Sequence, residues 1–93
     1  MLVELFEIIE DRKKNPTPES YTARLLSEGE DRILQKVGEE VVEVILACKG
    51  QGNQRLVEEM ADLFFHSLVL LASKGLSLAD VEDELRRRHK KRD

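Results

Sequence analysis

The sequence predicts an all-α protein, a helical bundle of about four main helices plus a short helix, completed by dimerisation. Three observations predict it. Apolar residues recur three and four apart along most of the chain, no stretch alternates apolar with polar residues as a strand would, and the breaks fall at short segments rich in proline or glycine. The first helix is expected over about residues 2–14, where Leu2, Leu5, Phe6 and Ile9 share a face and Arg12, Lys13 and Lys14 suit the negative end of the helix dipole. "NPTPES" interrupts it. Thr17 followed by Pro18 reads as an N-cap and first-turn proline, opening a short helix through "SYTARLLSE" that stops at Gly29. A long helix follows from about Glu30 to Lys49, ending at Gly50, and another from about Gln54 to Lys74, ending at Gly75. The last begins at "SLAD", where Ser77 caps and Asp80 stands three residues on, and continues through "VEDELRRRHKK". Short connections make neighbouring helices antiparallel.

At 93 residues the chain allows one domain, residues 1–93, with a modest core built mainly from Val, Ile and Leu. A core of that size is often completed by a second chain. The net charge of -4 offers nothing to nucleic acid, and a phosphorylated ligand would need a cation to mediate. One cysteine, Cys48, cannot form an internal disulfide, which fits a reducing cytoplasm. No segment reaches the roughly 18 uncharged apolar residues of a membrane span, and the acidic "MLVELFEIIEDRKK" does not resemble a signal peptide. Phosphate-loop, dinucleotide and zinc-cysteine motifs are absent, and the serines lack a nucleophile context. The closing run "RRRHKKRD" reads as a solvated helix end, with phosphate contact a minority alternative.

The two long helices carry an anomaly. At about 100° per residue, Leu34, Val37, Val41, Val44, Ile45 and Cys48 form one apolar face, Val42 and Leu46 point nearly opposite, and Lys36, Glu40, Glu43 and Ala47 run between. That pattern is expected of a helix packed on two sides, either at a subunit interface or deep inside a bundle. On the next helix Arg55, Glu59, Asp62, His66 and Ser73 share a narrow strip in otherwise apolar surroundings, with Phe64 and Phe65 read as core. Glu40-x-x-Glu43 and Glu59-x-x-Asp62 therefore project from facing helices. Four carboxylates so placed repel unless protons or cations neutralise them, and an all-oxygen set favours magnesium or manganese over zinc. His66, one turn after Asp62, is either a supporting partner of that carboxylate or a satisfied core histidine. Lys49 reads as a helix-end charge.

"SYTARLLSEGEDRILQKVGEE", "VEVILACKG" and "EEMADLFFHSLVLLASKGLSLADVEDELRRRH" together resemble the phosphoribosyl-ATP pyrophosphatase family, within the all-α nucleoside triphosphate pyrophosphatase superfamily. The resemblance spans nearly the whole chain. It implies magnesium-dependent hydrolysis of phosphoribosyl-ATP to phosphoribosyl-AMP and pyrophosphate, the second step of histidine biosynthesis, with water attacking the α-phosphorus; Mn2+ is a possible substitute. Glu40, Glu43, Glu59 and Asp62 are then the expected metal ligands, and Glu39 a further catalytic carboxylate that binds another ion or orients water. Arg32 and Lys36 are candidates for phosphate oxygens, and Ser20, Tyr21, Thr22 and Arg24 for the ribose phosphate or base; capping and packing of the short helix is the competing reading of those four. The resemblance also implies a homodimer or higher homo-oligomer; the chain reads as cytoplasmic, and with neither the length nor the cysteines for the cyclohydrolase fused in some members it is expected to be monofunctional. Val41 stands where the family pattern suggests alanine and Phe65 where it suggests tyrosine. A broad-range nucleotide pyrophosphatase and a non-enzymatic helical bundle are the rival readings.

Overall fold

The structure, a computed structural model, describes residues 1–92, with side chains described as far as His89. Five helices follow in order: α1 (Leu2–Lys14), α2 (Tyr21–Glu28), α3 (Glu30–Gly50), α4 (Asn53–Ser73) and α5 (Leu78–Arg92). No strand occurs among the described residues. The all-α class and the element order are as expected, with most helix ends within a residue of expectation and the start of α2 three residues later.

Local chemistry explains most boundaries. Ser77 and Asp80 cap α5 reciprocally: Ser77 N–H donates to Asp80 Oδ2 at 2.9 Å and Asp80 N–H to Ser77 Oγ at 3.3 Å. After α4, Gly75 adopts φ +74. Its N–H reaches Ala72 O at 3.1 Å and Leu76 N–H reaches Leu71 O at 2.9 Å, so the last carbonyls of α4 are satisfied by a glycine-ended hairpin of bonds. The start of α2 departs from the expectation. Thr17 does not cap the helix; Thr17–Pro18–Glu19–Ser20 forms a turn closed by Ser20 N–H to Thr17 O at 3.1 Å. Pro18 sits where a turn favours fixed φ, and Ser20 becomes the cap, its Oγ accepting from Ala23 N–H at 3.0 Å.

The core surrounds the C-terminal half of α4. Val69, Leu68 and Ala72 meet Phe6 and Ile9 of α1, Leu25 of α2 and Ile33 of α3, with Phe65 and Leu78 packed against them. Lys13 ties α1 to the same place, donating from Nζ to Ala72 O at 2.7 Å, so its charge serves the C-terminal end of α4 as well as its own helix. None of these core residues comes from positions 34–64. Over that stretch α3 and α4 form a two-helix hairpin that extends beyond the rest of the core, and two helices can cover only one face of each other.

That geometry corrects the reading of α3. The face buried within the chain is the mixed strip, with Ile33, Glu40 and Ala47 buried and Lys36, Val37, Glu43 and Val44 half-buried. The apolar faces point outward. Leu34, Val41, Val42, Ile45 and Leu46 are exposed, Ile45 by 55%, and Cys48 is exposed too. On α4, Val57 and Phe64 are likewise exposed, so Phe64 is not core. In α5, Arg86 pairs with Asp83 at 2.7 Å, and Arg87 and Arg88 both contact Glu84, the solvated helix surface expected of this run; the side chains of its last four positions, 90–93, lie outside the described residues.

Candidate active site

The turn Gln51–Gly52 folds α4 back on α3, with Gly52 at φ +90. The reversal sets the inner strip of α3 against the strip of α4 that begins at Arg55. Glu40, Glu59 and Asp62 meet there, each offering a carboxylate oxygen within 4.8 Å of the other two. Glu40 is 8% exposed and Glu59 5%, whereas Asp62 reaches the surface. At 4.8 Å and an effective dielectric of about 20, each ionised pair repels by about 3 kcal/mol, less where Asp62 is solvated.

Two cations answer this charge incompletely. The Arg55 guanidinium contacts Glu59, but it also holds Glu58 at 2.5 Å. Lys36 Nζ stands 3.9 Å from Glu40 and closer, 3.4 Å, to Glu39. Lys36 and Arg55 are thus shared among Glu39, Glu40, Glu58 and Glu59, with Asp62 beside them. Glu40 shows the deficit most directly: its Oε2 is buried without a hydrogen-bond partner. Burial first, and then the negative charge of Asp62, push the Glu40 carboxyl above its usual range, with contact to Glu59 acting the same way and His66 and Lys36 opposing. A buried, unpartnered carboxylate oxygen facing two further carboxylates fits a hard divalent cation, because the donor set is oxygen alone.

The other expected residues divide. Glu43 is half-buried one turn beyond Glu40 and lies outside the three-oxygen group. Glu39 is exposed and accepts from Gln35 Nε2 at 3.1 Å, a bond that holds its carboxyl below the usual range. Arg32 pairs with Glu28 at 3.5 Å. Ser20 caps α2, Thr22 is half-buried in its first turn, and the Arg24 guanidinium lies 5.6 Å from the centre of the Tyr21 ring.

His66 does not support the Asp62 carboxylate. Its Nδ1 lies 2.8 Å from the backbone oxygen of Asp62, and its Nε2 3.0 Å from Tyr21 Oη. Phe65 packs at the same point, 6.3 Å from Tyr21 and 5.0 Å from His66 between ring centres. The Tyr21–His66 contact was invisible to spacing, since the residues are 45 positions apart. The partial signal was His66 on the strip of Asp62.

Comparison with known proteins gives one family. The family model described as phosphoribosyl-ATP pyrophosphohydrolase matches residues 2–89. A phosphoribosyl-ATP pyrophosphatase of Bacillus cereus (strain B4264) is 52% identical over 87 residues, covering 94% of this chain and 81% of the relative. Proteins of the same name from Bacillus mycoides (strain KBAB4) and Bacillus anthracis (strain CDC 684 / NRRL 3495) are 54% and 53% identical over the same shares of each chain. Every residue of the carboxylate cluster and of α2 lies inside the matched region.

Proposed function

The chain belongs to the phosphoribosyl-ATP pyrophosphohydrolase family, and on that premise we propose how its own residues carry the reaction. It is a hydrolase that converts phosphoribosyl-ATP to phosphoribosyl-AMP and pyrophosphate, in histidine biosynthesis, with water attacking the α-phosphorus. The observation that carries this reading is the meeting of Glu40, Glu59 and Asp62 around an unpartnered Glu40 oxygen.

Glu40, Glu59 and Asp62 hold a divalent cation, and Glu43 stays in the proposed set as the fourth carboxylate. Oxygen donors without nitrogen or sulfur favour Mg2+, with Mn2+ as a substitute. When bound, the cation supplies charge neutralisation for the polyphosphate and for the leaving pyrophosphate. Glu39 is exposed and ionised at neutral pH, so it can accept a hydrogen bond from water and orient it toward phosphorus. Lys36 stands between Glu39 and Glu40, where phosphate oxygens can take over its ammonium, and Arg32 serves from one turn earlier. Arg24, with Ser20, Tyr21 and Thr22 at the start of α2, meets the ribose phosphate or the base. Ser20 Oγ accepts from Ala23, which leaves its O–H free to donate.

The unit that acts is a homodimer or higher homo-oligomer of a single domain, residues 1–93, in the cytoplasm. Exposed Val41, Val42, Ile45, Leu46, Val57 and Phe64 on the α3–α4 hairpin support that assembly, because an apolar surface of this extent favours a partner. No helix among the described residues is long and apolar enough to cross a membrane.

Pyrophosphate release from phosphoribosyl-ATP, with and without Mg2+ and beside ATP, tests the proposal. Magnesium-dependent release confined to phosphoribosyl-ATP is expected. Equal turnover of ATP would contradict the substrate assignment, and release undiminished by chelation would contradict the metal.

A further inference from the structure

The imidazole of His66 is held at both nitrogens. A backbone carbonyl can only accept, so the Nδ1 that faces Asp62 O at 2.8 Å carries the proton. In the neutral ring Nε2 then keeps its lone pair, and the Tyr21 hydroxyl, 3.0 Å away, donates to it. The ring is 5% exposed and stands edge-on to both Tyr21 and Phe65, at 82° and 84°. Its tautomer is therefore set by the backbone of the turn that carries Asp62.

Tyr21 opens α2, a helix of eight residues, too short to be stable by itself. The phenol lies along Phe65 at 30° between ring planes, and its other contact is with the Arg24 guanidinium, one turn on. Arg24 is exposed, and its long side chain has no ion pair among those found in the described residues. Its guanidinium lies 5.6 Å from the centre of the Tyr21 ring, within cation–π range. A continuous path of contacts thus joins the Asp62 turn of α4 to a guanidinium on α2, through a Tyr21–His66 bond between residues 45 positions apart.

We propose that His66 is a positioning residue: it fixes the Tyr21 phenol, and through it the Arg24 guanidinium, at a set place relative to the carboxylate cluster. Substrate anchored at Arg24 is thereby presented to the cluster without a separate search for the guanidinium rotamer. The proposal rests on the reading of Arg24 as a substrate contact.

Tyr21 is the single tyrosine and the chain has no tryptophan, so its ultraviolet emission reports the phenol alone. The full chain and its Tyr21→Phe, His66→Phe, His66→Gln and double Tyr21→Phe/His66→Phe variants are compared for emission, where tyrosine remains, and for phosphoribosyl-ATP kinetics. His66→Phe keeps a ring in the core and removes the acceptor, so emission rises. Each single phenylalanine variant raises KM about two- to fivefold, the most that an exposed guanidinium–phenol contact can transmit, with kcat unchanged. The double variant is no worse than either single, since both cut one bond, and His66→Gln, which offers an oxygen to Tyr21, recovers most of the loss. Should His66→Phe not fold, Tyr21→Phe and His66→Gln carry the same comparison. Unchanged emission in His66→Phe, additive losses, or a fall confined to kcat would overturn the proposal. A wild-type chain inactive on phosphoribosyl-ATP, with the emission change present, would instead overturn the functional reading beneath it.

Discussion

Arg55 lies one turn before Glu59 on α4, and its guanidinium rests against that buried carboxylate. The same guanidinium also holds Glu58, so the charge that Glu59 receives is partial. Removing Arg55 leaves a buried carboxylate beside two others. Because the guanidinium is open to solvent, Arg55→Ala lowers stability only modestly, well short of the penalty of breaking a fully buried pair. An added divalent cation replaces the missing charge, so Mg2+ raises the melting midpoint more in Arg55→Ala than in the parent. Thermal melts with and without Mg2+ check this, and an equal gain in both proteins would contradict it.

Glu40 makes stability of the metal-free protein pH-dependent. Its carboxyl is raised above the unfolded value by burial and by Asp62. The folded state therefore binds more protons than the unfolded state between the two values, and the contribution of Glu40 to stability falls as pH rises through that window. Glu40→Gln removes the fall. In chelator at neutral pH the variant should melt higher by on the order of 5 °C, the shift that about 1 kcal/mol gives a domain of this size. At a pH below the ordinary carboxylate range the two should converge. A variant that melts lower at neutral pH would show that the ionised carboxylate stabilises the fold.

Turnover should separate from stability. Glu59→Gln and Asp62→Asn keep size and shape, so helical circular dichroism persists while phosphoribosyl-ATP hydrolysis falls by about 100-fold or more. Residual activity within a few-fold of the parent would remove these carboxylates from the chemistry.

Much of this was legible in local sequence. The reciprocal cap of Ser77 and Asp80 needs only its own four residues, and Gly75 ends α4 because the left-handed position there admits few residues other than glycine. The carboxylate pairs were legible because a spacing of three fixes a shared helix face whatever lies around it. Which face of α3 is covered was not. Periodicity shows that Val41, Ile45 and Leu46 are apolar, but the cover depends on how many helices accompany α3, and past residue 34 that is α4. Glu43 follows the same logic: it shares the face of Glu40 but not its depth in the hairpin. The turn at Pro18 was misread because a proline serves as well at the second position of a turn as at the start of a helix.

The exposed hairpin predicts a disruptible assembly. Ile45 is 55% exposed in the single chain, so Ile45→Asp costs the monomer little. Buried in an interface, the same charge would weaken association by several kcal/mol. Sedimentation should show an oligomer for the parent and a shift toward monomer for Ile45→Asp. A compact monomer at micromolar concentration for the parent would contradict the assembly.

Gly75 offers a test of the helix ends. Its φ of +74 is disfavoured for residues with a Cβ, yet no heavy atom lies within 4 Å of where that Cβ would stand. Gly75→Ala should therefore cost about 1 kcal/mol from backbone conformation alone. Chemical denaturation measures it, and a neutral or stabilising result would contradict the left-handed cap.

The proposed chemistry depends on one cation shared by Glu40, Glu59 and Asp62. Calorimetric titration of Mn2+ into the substrate-free protein and into Glu40→Gln tests it most directly. Saturable binding is expected in the parent and at least about tenfold weaker binding in the variant, as loss of one carboxylate ligand requires. Equal affinity in both proteins would contradict it.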